Sequence, residues 1–387
     1  MSLSQCAAAR LSCKSVETAD KCSMNSGCQC SSTMRLHALT VDRCLDVATR
    51  SASGLGISVR GGRYTVGMKA SVIIGIVAAL LAALAWSLNF IVPFVIGDYS
   101  VFDFALFRFL VSGILSAGFL VSKSKAVRAL EPSDWLMAGW LGLIGYLGYF
   151  LALVGAAIYA GPVIAPAFLG IVPVVLAVAG NLRQKTIAWR HLAWPLTLTA
   201  AGLLLVNAGS FEQSSVATTH ALVIGVPLAI AAVALWVWFG LLNQSALAKR
   251  PRMSASVWTA LIMIGAGLGM LAFVPIGLWV GVFAIPRLGL GWDVAAPLYI
   301  WGTMLAVLAS VGGALAWTFA SQRLAVALSA QLITMETIFG TILGLLIRRR
   351  WPTLAEGVGM TVLLVGVTVT IRLFHGRRKA ALIPEIV

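Results

Sequence analysis

The 387 residues are 60% hydrophobic and only 11% charged, with a mean hydropathy of +0.95, a composition that excludes an ordinary water-soluble domain. A formal net charge of +15 would suit a nucleic-acid-binding surface, but the basic residues sit in short segments between apolar runs, not along one soluble face. The charge therefore records topology in a membrane.

Residues 1–67 are Ser-rich, hold no apolar run of membrane-spanning length and contain all six cysteines, Cys6, Cys13, Cys22, Cys28, Cys30 and Cys44. They lack the apolar core of a secretory signal. The "CQC" at 28–30 does not have zinc-knuckle spacing, and disulfides are not expected in a reducing cytoplasm. A disordered tail or an over-long start is the favoured reading, with "MKASVIIGIVAALLAALAW" from Met68 as a natural beginning anchored by Lys69. A targeting peptide is the alternative.

From Met68 onward the chain breaks into ten apolar runs, taken here as spans 1 to 10: residues 70–96, 104–121, 135–158, 163–181, 192–208, 221–246, 255–281, 297–320, 325–346 and 355–374. Each is near the ~20 residues with which a helix crosses about 30 Å of hydrocarbon. Continuous runs without in/out alternation predict helices and not a barrel, hence an all-α membrane protein.

With the N-terminus inside, the even-numbered loops and the C-terminal tail carry fourteen basic residues. These are Lys123, Lys125, Arg128, Arg183, Lys185, Arg190, Lys249, Arg250, Arg252, Arg323, Arg372, Arg377, Arg378 and Lys379, against four outside, Arg287, Arg348, Arg349 and Arg350. Both termini are predicted to be cytoplasmic, and the "RRR" at 348–350 reads as a solvated helix end. Internal similarity supports two inverted five-helix repeats, residues 68–209 and 210–375, followed by a tail, 376–387. A shift of 164 residues lays Gly180 over Gly344 and Gly202 over Gly366, and a shift of 150 lays Trp86 over Trp236.

Candidate site residues come from polar and aromatic side chains at mid-depth. Trp86, Asn89 and Pro93 in span 1 share a helical face that suits a substrate, although an Asn bonding across helices is an equal reading. Trp236, at similar depth in the second repeat, is expected to face Trp86. Tyr146 and Tyr149 share a face with Gly142, which fits either close helix packing or ring contact with a planar substrate; Trp317 in span 8 is a further candidate. Trp135, Trp140, Trp189, Trp194, Trp292 and Trp351 are read as packing or interfacial residues. Arg108, near the end of span 2, is expected to snorkel outward in preference to pairing with Asp103.

Glu336 stands in "LITMETIFGTILG", near the middle of span 9, on a face with Ser329 and Gly340 that could line a cavity. A charge there costs a few kcal/mol, so the carboxylate must meet water, a cation or a proton, or else be a neutral carboxyl bonded to a neighbouring helix. Among these readings the first makes it a coupling residue.

The chain from Met68 to about Phe374 resembles the drug/metabolite transporter superfamily, in particular the ten-helix EamA-type transporters. "LLAALAWSLNFIVP", "FDFALFRFLVSGIL", "GYFLALVGAAIYAGPVIAPAFLGIVPVVLAV" and "LSAQLITMETIFGTILGLL" carry the resemblance. It implies a secondary transporter of small organic solutes such as amino acids or related metabolites, often moved outward, in a bacterial inner membrane. The chain departs from the family in having Thr337 where a proline often follows the glutamate, which predicts an unbroken span 9. It also has "NLRQK" and "IRRRW" where an acid is common after spans 4 and 9. The expected partners are a small-molecule substrate and the lipid bilayer, with no nucleic acid; proton coupling and a homodimer stay open. No metal-spacing cluster and no paired mid-depth carboxylates speak for an enzyme, and no cofactor is expected. The rival classes are a non-translocating membrane sensor and an integral-membrane transferase.

Overall fold

The computed structural model describes residues 62–160, 164–185, 187–212, 219–347 and 349–380. The chain divides into two units, Met1–Ala70 and Ser71–Val387. The readings of the Cys-rich segment, and of Arg348, fall outside the described residues.

Every regular element among the described residues is helical. Nine helices there are long and apolar enough to cross a membrane: Ser71–Phe94, Val101–Ser122, Pro132–Tyr159, Trp189–Ala208, Leu222–Ala248, Ala255–Val280, Trp292–Ser321, Val326–Ile347 and Leu354–Phe374. At the expected place of span 4 lies the helix Ile164–Gln184, of which Gly170–Gln184 is a shorter apolar segment. The ends agree with the sequence reading to within a few residues because Pro, Gly and charged residues punctuate the apolar runs. Ser100, for example, caps span 2 through Asp103 Nα, and the Asp103 carboxylate accepts from Ser100 N in return.

In lipid the apolar effect does not drive helices together, so they meet where small residues let backbones approach. Span 7 crosses span 3 on such a contact: a Cβ at Gly142 would lie 2.4 Å from the Ile262 carbonyl oxygen, and one at Gly265 would lie 2.6 Å from Gly139 Cα. Spans 5 and 10 pack on the glycines that the 164-residue shift brings into register. A Cβ on Gly202 would meet Leu363 and the Gly359 carbonyl, and one on Gly366 would meet Thr199 and the Pro195 carbonyl. These contacts are reciprocal, since the same shift carries Thr199 onto Leu363 and Pro195 onto Gly359. Span 2 also packs on span 7, and span 4 on span 9.

Four spans are irregular, span 1 in its last seven residues and spans 3, 8 and 9 near mid-length. Span 1 tightens from the helix ending at Ser87 into a 3₁₀ turn, Leu88–Phe94, which contains Pro93. Spans 3 and 8 loosen into π-helical segments, Leu143–Gly148 and Ala306–Gly313. Span 9 breaks at Thr334, between the helices Val326–Ile333 and Met335–Ile347. The expectation of an unbroken span 9 is therefore corrected. The break needs no proline, because Thr334 Oγ1 donates to the Gln331 carbonyl at 2.6 Å and the backbone there tightens to i→i+3 bonds, Thr334 N to Gln331 O and Thr337 N to Thr334 O.

Candidate functional site

The interruptions surround one cavity of about 530 Å³. Its wall takes Trp86, Asn89 and Pro93 from span 1, Arg108 and Phe109 from span 2, and Tyr146 and Tyr149 from span 3. Trp236 comes from span 6, Ala309 and Ser310 from span 8, and Glu336, Thr337 and Gly340 from span 9. From mid-depth the lining runs to Phe94, Val101, Arg350 and Glu356, so the cavity leads toward the bundle end that carries loops 1–2 and 9–10. At the other end the chain is tied. Gln184 Nε2 donates to Gln244 Oε1, Gln244 Nε2 donates to the Leu324 carbonyl at 2.8 Å, and Val326 N donates to Gln184 Oε1 at 3.2 Å.

Six of the seven residues singled out from sequence line this cavity: Trp86, Asn89, Tyr146, Tyr149, Trp236 and Glu336. Trp86 and Trp236 meet edge to face, ring centroids 5.2 Å apart, and the Tyr149 ring lies 4.9 Å from Trp236. Trp317 does not line the cavity; it is buried behind Trp86 at 5.8 Å, as second-row packing for that indole. Trp86 Nε1 donates to the Ala309 carbonyl at 3.0 Å, taking up a backbone oxygen of the π segment that packs beside it. A side chain at Gly340 would run into the Phe90 ring, 2.5 Å from the position of a Cβ.

The break at Thr334 resets the register of span 9. Gly340 faces the cavity with Glu336, but Ser329, on the helix before the break, is buried and does not line it, which corrects the shared face expected for an unbroken helix. Glu336 becomes the second residue of a new helix, Met335–Ile347, where free backbone N–H groups favour negative charge. Its carboxylate has no hydrogen-bond or ion-pair partner among the described residues.

Arg108 is the residue whose role the sequence reading missed. Snorkelling is corrected: the guanidinium turns into the protein, 4.7 Å over the Phe109 ring, and its Nη1 donates to Asn89 Oδ1. Pairing with Asp103 is closed off as well, because that carboxylate is spent on the amides of Ser100, Ala284 and Ile285. Only the position of Asn89 one helix away could have given the signal, and no spacing within span 2 contains it.

Arg350 is not a merely solvated helix end. It holds Glu356 by two hydrogen bonds, 2.8 and 2.6 Å, at the cavity's outer rim, and Glu356 also accepts from Thr353 N at 2.8 Å. The six tryptophans assigned to packing or the interface, Trp135, Trp140, Trp189, Trp194, Trp292 and Trp351, are all exposed on the protein surface.

Comparison with known proteins gives this arrangement relatives. Residues 73–208 match the EamA-like transporter family. This segment is similar to the EamA-like transporters, as the sequence resemblance implies. Inner membrane protein YtfF of Escherichia coli (strain K12) is 29% identical over 306 residues, covering 77% of this chain and 95% of that protein. A solved crystal structure shares the fold with a TM-score of 0.60 at 16% identity, over 79% of this chain and 98% of its own. The likenesses are to membrane transporters, and the nine apolar helices among the described residues fit an integral membrane protein. The matched segment supplies spans 1 to 5, and thus Trp86, Asn89, Arg108, Tyr146 and Tyr149; Trp236 and Glu336 come from the half beyond it.

Proposed function

We propose that the chain is a secondary transporter that exports small organic solutes, amino acids or related metabolites, across a bacterial cytoplasmic membrane, with both termini in the cytoplasm. The observation that carries this reading is the mid-depth cavity of about 530 Å³ with aromatic walls and convergent polar groups, of a size and make-up that suit a small ligand. Alternating access is supported by the reciprocal contacts of spans 5 and 10 and by π segments at corresponding places in spans 3 and 8, as expected of two inverted five-helix halves, 68–209 and 210–375. In the proposed orientation the cavity leads to the outside, and the tie through Gln184, Gln244 and Leu324 closes the cytoplasmic end. The bacterial membrane is supported by the Escherichia coli relative, named an inner membrane protein.

Glu336 is the proposed coupling residue. Unpartnered carboxylates at mid-depth are costly, and one that exchanges a proton or a cationic solute group between the two access states has a reason to stay. Purified protein in proteoliposomes, tested against an amino-acid and metabolite panel with and without a pH gradient, checks the reading. Movement of at least one solute, enhanced by the gradient, is expected; no movement of any solute would overturn it.

A further inference from the structure

We propose that Arg108 docks a carboxylate of the transported solute. The inference rests on the reading of the cavity as the solute site. Arg108 lines the cavity, and its guanidinium stacks on Phe109 at 4.7 Å, with Phe104 at 5.8 Å. Its Nη1 donates to Asn89 Oδ1, and its Nε is buried with no partner among the described residues. The Asn89 amide is fixed as an acceptor toward Arg108 because its Nδ2 already donates to the Trp86 carbonyl at 2.8 Å.

A neutral amide oxygen satisfies one N–H but does not cancel a charge. The two ion pairs among the described residues are Arg250–Asp134 and Arg350–Glu356, so no acid there is in ion-pair contact with Arg108; Glu336 lines the same cavity but does not pair with it. The nearest acid in its own span, Asp103, is engaged by three backbone amides. A buried, uncompensated cation is costly unless an anion arrives. What reaches this cavity from water is the solute. A guanidinium presents a planar fork that matches a carboxylate, and here it lies beside two phenyl rings of the wall. The same rings, with Tyr146 across from Phe109 at 6.5 Å, favour a planar or apolar body attached to the carboxylate.

The test uses three probes with one phenyl ring and different charge: benzoate, benzamide and benzylammonium. Each is titrated calorimetrically into the detergent-purified full chain. Wild type is expected to bind benzoate at least about tenfold more tightly than benzamide, and benzylammonium no better than benzamide. Arg108→Gln should lose the preference, and Arg108→Lys, which keeps the charge without the fork, should retain part of it. If Arg108→Gln does not accumulate, phenylglyoxal modification of wild-type Arg108, read by mass spectrometry, takes its place: benzoate should protect it and benzamide should not. Equal behaviour of benzoate and benzamide toward wild type, absence of protection, or a preference that survives in folded Arg108→Gln would overturn the inference. The transport reading fails separately, by silent proteoliposomes whose purified protein still prefers benzoate.

Discussion

Replacing Glu336 by Gln removes one charge and almost no volume. Of the two acids that line the cavity, Glu356 is held by Arg350, and Glu336 alone stands at mid-depth. A charged side chain at the bilayer centre costs about 2.5–3.5 kcal/mol. The first turn of the helix Met335–Ile347 offsets about 0.3–1 kcal/mol of that. The remainder is met by water, a solute cation or a proton, and the last gives coupling. One carboxylate carries one proton per cycle, and one pH unit is worth about 1.36 kcal/mol, so a one-unit gradient drives at most about a tenfold solute ratio. In proteoliposomes, wild type should approach that limit, Glu336→Asp should retain part of it, and Glu336→Gln should equilibrate the solute without responding to the gradient. A gradient-driven ratio unchanged in well-folded Glu336→Gln would refute the reasoning and leave Glu336 as a buried structural carboxyl.

Other expectations follow from the same geometry. Trp86→Ala and Trp236→Ala should each change the KM for a transported solute by about fivefold or more while lowering folded yield less; normal transport by poorly accumulating protein would make both indoles packing residues. In a chain begun at Met68, and so free of native cysteines, Ser210→Cys in intact cells should react with an impermeant maleimide and Ser254→Cys should not, and the reverse pattern would invert the topology. Gly265→Ala, whose Cβ would fall 2.6 Å from Gly139 Cα, should lower the melting temperature sharply, whereas Gly139→Ala, with nothing within 4 Å of its Cβ, should not; equal shifts would show that the two spans can separate freely. Gln244→Ala removes hydrogen bonds to Gln184 and Leu324, each worth about 0.5–1.5 kcal/mol. Maleimide labelling of Ser321→Cys, buried near that tie, should rise several-fold, and unchanged labelling would mean the tie does not hold that end closed.

Span positions were legible because membrane insertion is read from composition: about 20 apolar residues between charged or Gly/Pro punctuation predict a helix whatever its neighbours. The mid-depth residues were legible for a related reason, since polar or indole-bearing positions in an apolar run stand out, and Trp86, Asn89, Tyr146, Tyr149, Trp236 and Glu336 do meet at one cavity. What the sequence did not disclose depends on partners from elsewhere in the chain. Trp317 has the same side chain as Trp86 but one row further out. Arg108 reads as a snorkelling residue until Asn89, from span 1, and the ring of Phe109 turn it inward. Arg350 reads as a stray charge until Glu356 folds back on it.

The interruptions explain why these side chains converge. A helix in hydrocarbon cannot leave backbone groups unpaired, so irregular backbone survives at membrane depth only against protein or water. The 3₁₀ turn of span 1, the π segments of spans 3 and 8 and the break in span 9 all border the same cavity, through Asn89, Tyr146, Ala309 and Glu336. Each supplies what the next requires: the π segment of span 8 exposes the Ala309 carbonyl, and Trp86 Nε1 takes it. Trp86 in turn offers its own carbonyl to Asn89, which orients the amide oxygen toward Arg108. The cation at Arg108 is thus linked, through three hydrogen bonds and the residue Trp86, to a backbone distortion about 200 residues further along the chain. A continuous helix in span 8 would draw the Ala309 carbonyl toward its own ladder and leave the buried Trp86 indole N–H without its acceptor, so the π segment and the position of Trp86 are specified together.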